Sequence, residues 1–106
     1  MPKPNGNGSG GGKNNTPTPP EGALVGTEDA EVFEGSALDD IIWSLGGNDA
    51  VYGLAGNDTI EAGAGDDTID GGDGDDVLNG GDGGDLFIGS AGSDTIDGGA
   101  GTNAVI

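Results

Sequence analysis

Apolar residues recur at every ninth position along residues 26–106. Written in lines of nine that begin at Gly26, this block forms nine lines, and we refer to the nine positions of a line as columns one to nine. Column eight is apolar in every line: Phe33, Ile42, Val51, Ile60, Ile69, Leu78, Phe87, Ile96 and Val105. A fixed period of this kind is the signature of a repeat architecture.

Each line divides into a turn and a short strand. Column four is glycine in the last seven lines, and glycine permits the positive φ angles that tight turns need. Columns seven to nine are rich in β-branched and apolar residues, as in the Thr-Ile-Glu of 59–61. Because side chains alternate along a strand, column eight faces inward while columns seven and nine face outward. Such short strands predict parallel coils stacked on copies of themselves and not a hairpin sandwich.

Column six carries the chemistry of the repeat. Its residues are Glu31, Asp40, Asp49, Asp58, Asp67, Asp76, Asp85, Asp94 and Asn103. The consensus line is G-G-x-G-x-D-x-U-x, with U apolar, and residues 71–79 (GGDGDDVLN) match it completely. The first two lines lack glycines in columns two and four, and the last line has Asn103 in column six. Atypical end repeats are expected because they cap a stack.

The charge of the block restricts its partners. The chain has 20 acidic residues, two lysines and no histidine; only Glu21 and both lysines precede residue 26, so the block carries 19 acids and no base. Such charge opposes compaction unless counter-charge is bound, and it argues against nucleic-acid binding. The absence of cysteine excludes disulfides and thiolate metal sites.

Residues 1–25 differ in composition from the repeats. After Met1, residues 2–20 are Gly, Asn, Pro, Thr, Lys and Ser with no apolar residue, which predicts a flexible tail or linker, with Ala23, Leu24 and Val25 as a candidate cap for the first coil. The sequence predicts no membrane span, and the N-terminus has no apolar stretch typical of a cleaved signal. We therefore expect a tail over 1–25 and a repeat domain over 26–106.

The block of nine lines over 26–106 resembles the haemolysin-type calcium-binding repeats of the repeats-in-toxin (RTX) family. The resemblance implies an all-β fold, a parallel β-roll (β-solenoid), in which the nine lines are half-coils and two lines make one coil. It also implies that Ca²⁺ lies between a turn and the equivalent turn two lines later. Folding is then expected to depend on calcium, because a small chain without disulfides needs another source of stability.

Carried onto this chain, the resemblance gives four sites between column-six pairs: Asp49 with Asp67, Asp67 with Asp85, Asp58 with Asp76, and Asp76 with Asp94. Asp40 with Asp58 and Asp85 with Asn103 are weaker fifth and sixth sites. Ca²⁺ takes six to eight oxygens, so backbone carbonyls must add to the two carboxylates. The turn glycines expected to bring them inward are Gly47, Gly56, Gly63, Gly65, Gly72, Gly74, Gly81, Gly83 and Gly92. Other turn acids, Asp66, Asp73, Asp75 and Asp82, are expected at the surface.

Other functional classes fit less well. An EF-hand loop starting at Asp66 would place Val77 at the position that needs Glu, and no lysine follows Lys13 to complete a phosphate-binding loop. Without His or Cys, no nucleophile–base pair can be assembled, so we do not expect an enzyme. Carboxylates repeated in identical turns favour repeated ion sites over one asymmetric active site.

Three settings for calcium binding stay open from the sequence. The family resemblance implies a secreted, extracellular bacterial module, exported unfolded by a type I (one-step) exporter. The chain could instead be the C-terminal, calcium-responsive fragment of a larger secreted enzyme or toxin, of protease, lipase or epimerase type, whose fused catalytic domain is absent from this sequence. A structural or adhesive solenoid is the third setting, although Thr68 lies on the opposite side from Thr59 and Thr95, so the threonines form no flat array. The sequence does not give the oligomeric state.

Overall fold

A computed structural model describes residues 22–88 and 91–106 of the chain. The described residues form ten short strands and no helix: β1 Leu24–Val25, β2 Val32–Glu34, β3 Ile41–Trp43, β4 Ala50–Tyr52, β5 Thr59–Glu61, β6 Thr68–Asp70, β7 Val77–Asn79, β8 Leu86–Ile88, β9 Thr95–Asp97 and β10 Ala104–Val105. None of these residues belongs to a helix that could cross a membrane. The predicted tail falls largely on residues 1–21, which lie outside the described ranges.

Alternate strands build two parallel sheets. One sheet has the order β9-β7-β5-β3-β1 and the other has the order β10-β8-β6-β4-β2. Every strand pairs with the strand two lines away, in the same column register: Ile42 pairs with Ile60 in the first sheet, and Val51 pairs with Ile69 in the second. Two nonapeptides therefore make one coil, and the predicted parallel β-roll is confirmed, with about four turns.

Column eight forms the core between the two sheets. Ile42, Val51, Ile60, Ile69, Leu78 and Phe87 are at most 1% exposed, while Phe33 and Ile96 pack partly buried against them. The flanking columns seven and nine are half-buried or exposed in the same strands, as in β5 and β6. The alternation of side chains thus places one apolar residue per strand inward, as the period predicts. Val105, in the last strand, is 59% exposed because only β8 lies beside it.

The roll begins two residues earlier than the sequence boundary at Gly26. Leu24 and Val25 form β1 and pair in parallel with Ile42 and Trp43 of β3. Leu24 and Val25 correspond to columns eight and nine, two lines before Ile42 and Trp43. They therefore extend the first sheet by one strand. The structure thus assigns them to the roll, as the cap that Ala23–Val25 could provide, and not to the tail.

Candidate metal centre

The turns owe their shape to residues with positive φ in columns two and four. All nine glycines that the sequence nominates for the sites have φ between +79° and +118°, and Gly99 and Gly101 also have positive φ, of 71° and 101°. Leu45 and Leu54 occupy column two with φ of 72°, so two turns adopt the left-handed conformation without glycine. That conformation costs an L-residue about 1–2 kcal/mol. The turn shape is therefore maintained even where column two departs from the consensus.

Successive turns also stack too closely for side chains in column four. A Cβ atom added to Gly65, Gly74, Gly83, Gly92 or Gly101 would overlap the carbonyl oxygen of the column-four glycine one coil earlier. The column-four glycines are thus required twice, once for their φ angle and once for the contact of each α-carbon with a carbonyl of the neighbouring turn. This contact places the carbonyl oxygen of each earlier column-four glycine against the next turn.

The column-six carboxylates lie inside these stacked turns. Asp49, Asp58, Asp67, Asp76 and Asp85 are only 1–3% exposed. Each uses Oδ1 to accept a hydrogen bond from the backbone N–H of the column-six residue one coil earlier; for example, the Asp49 N–H donates to Asp67 Oδ1 at 2.8 Å. The same bond joins Asp58 to Asp76 and Asp67 to Asp85. The structure therefore brings the predicted column-six pairs together.

The residues at the two ends of this series are less enclosed. Asp94, Asn103 and Asp40 are half-buried. Asp94 Oδ1 and Asn103 Oδ1 still accept from the N–H groups of Asp76 and Asp85. Oδ2 of Asp40 has a donor in its own loop, the Ser36 N–H at 2.6 Å. Asp94, which the sequence ranks with the stronger sites, is thus half-buried, as are Asp40 and Asn103, which it ranks lower.

The second carboxylate oxygen has no donor. Oδ2 of Asp49, Asp58, Asp67, Asp76 and Asp85 is buried, and none of the described residues donates a hydrogen bond to it. An unpaired buried carboxylate oxygen is costly, and here the like charges of successive turns add to the cost. The site is therefore complementary to a cation, for which the unpaired oxygens of these carboxylates are candidate ligands.

The pKa values of the column-six carboxyl groups also indicate a site for a cation. Burial, reinforced by column-six carboxylates one coil away, raises the pKa of Asp67 to about 7 and that of Asp58 to about 6. Burial also raises the pKa values of Asp49, Asp76 and Asp85, although a backbone N–H to each of them acts in the opposite direction. Without a cation, the folded turns thus favour the protonated carboxyl groups.

The raised pKa values predict that protonation of these carboxyl groups at low pH can partly replace a bound cation. A carboxyl group with a higher pKa in the folded chain binds more protons there than in the unfolded chain, so the calcium-free roll loses stability as pH rises. In chelator, we expect the β-signal in far-UV circular dichroism to increase as the pH falls from about 8 to about 4, since the stabilisation builds up between the folded pKa values of about 7 and about 6 and the ordinary value of 3.8. A β-signal that is highest at alkaline pH would contradict the assignment of buried, unpaired carboxylates.

Sequence reasoning missed a second set of cross-coil bonds, made by column five. Asp66 and Asp75 are exposed, as expected, but each Oδ1 accepts from the backbone N–H of the column-five residue one coil later, Gly84 and Ser93 respectively. The signal in the sequence was the run of short amide and carboxylate side chains in this column: Asp39, Asn48, Asn57, Asp66 and Asp75.

The arrangement defines a class of protein: a parallel β-roll whose stacked turns hold buried carboxylates for cations. No three acidic side chains of the described ranges converge on one point, so a cation between two turns would draw on two carboxylates together with carbonyls. The chain belongs to the RTX calcium-binding nonapeptide repeat family, whose four-copy model matches residues 25–60, 52–87 and 79–106. That family is a non-catalytic calcium-binding module, and together with the fold it supports calcium binding. No curated protein and no solved structure matches the chain.

Proposed function

We propose that the roll binds about four Ca²⁺ ions, each between the column-six residues of turns one coil apart. The proposed pairs are Asp49 with Asp67, Asp67 with Asp85, Asp58 with Asp76, and Asp76 with Asp94. Two further pairs, Asp40 with Asp58 and Asp85 with Asn103, would raise the number to six. Asp67 and Asp76 belong to two pairs each, because a carboxylate with two oxygens can serve the ion on either side.

The observation that carries this proposal is the set of five buried Oδ2 atoms without a donor. A cation supplies the charge that those oxygens need, and the described residues contain no lysine, arginine or histidine that could do so. The choice of calcium follows from the all-oxygen donor set and from a coordination number that two carboxylates and several carbonyls can reach. Mg²⁺ demands a tighter octahedron and gives up its water reluctantly, so these turns favour Ca²⁺.

In this proposal the ions link binding to folding. A block with 19 acidic residues and no base repels itself, and above about pH 7 its buried carboxylates depend on bound ions for their stabilisation. Such a module suits a compartment with millimolar calcium, so the proposed location is outside the cell, as is typical of RTX repeats in secreted bacterial proteins. Detection of the chain in the culture medium of its source organism, and not in the cell lysate, tests this location.

A conservative substitution tests the site residues directly. Asp67→Asn keeps an oxygen for the Asp49 N–H but removes the charge shared by two proposed sites. We expect calcium affinity to fall roughly tenfold or more at both sites, measured by calorimetric titration at about pH 8. The same substitution removes a buried charge, so the calcium-free chain is expected to become more stable.

Asp73→Asn is the matched control, because Asp73 lies exposed in column three of the next turn. It removes the same charge from the surface, and we expect calcium affinity to change less than about twofold at moderate salt. Equal effects of the two substitutions on calcium binding would assign the affinity to overall charge and would remove the column-six residues from the proposed sites.

A further inference from the structure

Column five forms a ladder of hydrogen bonds through the stacked turns on each side of the roll. On one side, Asp39 Oδ1 accepts from the Asn57 N–H, Asn57 Oδ1 from the Asp75 N–H, and Asp75 Oδ1 from the Ser93 N–H, at 2.7–2.9 Å. On the other, Asn48 Oδ1 accepts from the Asp66 N–H and Asp66 Oδ1 from the Gly84 N–H, both at 2.8 Å. Each bond joins two consecutive coils.

This ladder runs opposite to that of column six. A column-six carboxylate accepts from the coil before it, as Asp76 Oδ1 does from the Asp58 N–H. A column-five oxygen accepts from the coil after it, as Asp75 Oδ1 does from the Ser93 N–H. Adjacent residues in one turn thus tie that turn to both of its neighbours. A displacement of the turn toward either neighbour would lengthen one of the two bonds.

Backbone bonds between turns involve other columns. The Gly46 N–H donates to the Thr27 C=O, and the Ala64 N–H donates to the Leu45 C=O, both from column three to column two. The other backbone bonds between coils start at the strands or at the residues next to them. The side-chain bonds of columns five and six therefore join the turns at positions that the strand pairing does not reach, within the turns themselves.

We propose that the column-five residues Asp39, Asn48, Asn57, Asp66 and Asp75 are positioning residues for the calcium sites. This inference rests on the proposed calcium function. They do not bind the ion; they fix the spacing of consecutive turns, and with it the separation of the two column-six carboxylates and the carbonyls between which an ion lies. Preorganised ligands bind an ion more tightly than ligands that must be ordered on binding.

The chemistry needs a short side chain with an acceptor oxygen and does not need a charge. Asn48 and Asn57 use an amide oxygen where Asp66 and Asp75 use a carboxylate oxygen, and all four bonds have donor–acceptor distances of 2.8–2.9 Å. Asparagine is therefore expected to replace aspartate in this column without loss, whereas alanine removes the bond. Gly84, which has no side chain, ends one ladder naturally.

The test compares three variants of the full chain saturated with calcium: Asp75→Ala, Asp75→Asn and Asp73→Ala. Asp73 and Asp75 are exposed residues of the same turn, but no hydrogen bond of the ladder involves Asp73. Loss of one bond in Asp75→Ala is expected to lower the Tm by about 4–8 °C. The decrease in Tm of Asp75→Asn and of Asp73→Ala is expected to be less than half of that decrease.

Calcium release provides the readout that a general loss of stability would not produce. In stopped-flow mixing with a fluorescent chelator well below the Tm, one phase of release from Asp75→Ala is expected to accelerate roughly three- to tenfold while the others keep their rates. That phase belongs to the pair Asp76 with Asp94, which flanks the lost bond. Asp75→Asn and Asp73→Ala are expected to release calcium as the unchanged chain does.

Three outcomes would overturn the inference. If Asp75→Asn lowered the Tm and accelerated calcium release as much as Asp75→Ala, the effect would be assigned to charge. If Asp75→Ala had the same Tm and release rates as Asp73→Ala, the bond would have no effect. A uniform acceleration of every phase would show a loss of stability and no positioning. If the unchanged chain released no calcium at all, the proposed function itself would fail and the inference would fall with it, whereas the first three outcomes leave calcium binding intact.

Discussion

Removal of calcium at about pH 8 is expected to abolish most of the parallel β-structure. The physical reason is the set of buried column-six carboxylates: at this pH the raised pKa values no longer keep Asp58 and Asp67 protonated, so stacked negative charges face one another without a donor for Oδ2. The core offers little to oppose this, because each strand contributes one inward apolar residue. Far-UV circular dichroism in excess chelator, followed by addition of millimolar Ca²⁺, measures the change.

The control for this experiment is Mg²⁺ at the same concentration. It screens surface charge as well as Ca²⁺ does, but it does not favour an irregular site of seven or so oxygens. We expect Ca²⁺ to restore the β-signal cooperatively and Mg²⁺ to restore little of it. An equal β-signal in chelator and in calcium would contradict the coupling of binding to folding, and equal recovery with both ions would reduce the role of calcium to charge screening.

Gly74→Ala is expected to destabilise the calcium-bound roll by about 2–4 kcal/mol. Gly74 has a φ of 118°, well beyond the left-handed region that Leu45 and Leu54 tolerate at 72°. Its added Cβ would also overlap the Gly56 carbonyl oxygen, so the two turns would have to separate. Separation moves Asp58 and Asp76, which belong to consecutive turns on that side of the roll.

The measurement is the free energy of unfolding in saturating calcium, from a urea or thermal transition. Asp73→Ala is again the matched control, because it places alanine in the same turn at a position without a positive φ angle. We expect the control to differ from the unchanged chain by less than about 0.5 kcal/mol. A Gly74→Ala variant as stable as the control would show that the turns do not stack as closely as the structure indicates.

The repeat period predicted the strands and the core, because one apolar residue in every nine places one inward-facing side chain in each strand. The column-eight residues from Ile42 to Phe87 lie where this argument places them. The period alone did not give a coil of two lines, since a single line could equally have made a whole turn. The family resemblance supplied that pairing, and the register of Ile42 with Ile60 confirms it.

Other features could not be predicted from the columns because they depend on contacts between coils. Leu24–Val25 precede the first complete line, and only their pairing with β3 shows that they belong to the roll. Leu45 and Leu54 carry no turn signal, yet they adopt positive φ because the turn is shaped by its stacking. The column-five bonds were hidden for the same reason: the exposure of Asp66 and Asp75 was predictable, but the N–H groups that donate to them lie one coil away.

Isothermal titration calorimetry of the full chain with Ca²⁺, set against Mg²⁺, tests the central claim most directly. If the column-six pairs hold the ions, about four Ca²⁺ should bind per chain, with little response to Mg²⁺. Binding of a single Ca²⁺ ion, or of none, would contradict a ladder of equivalent sites between successive coils.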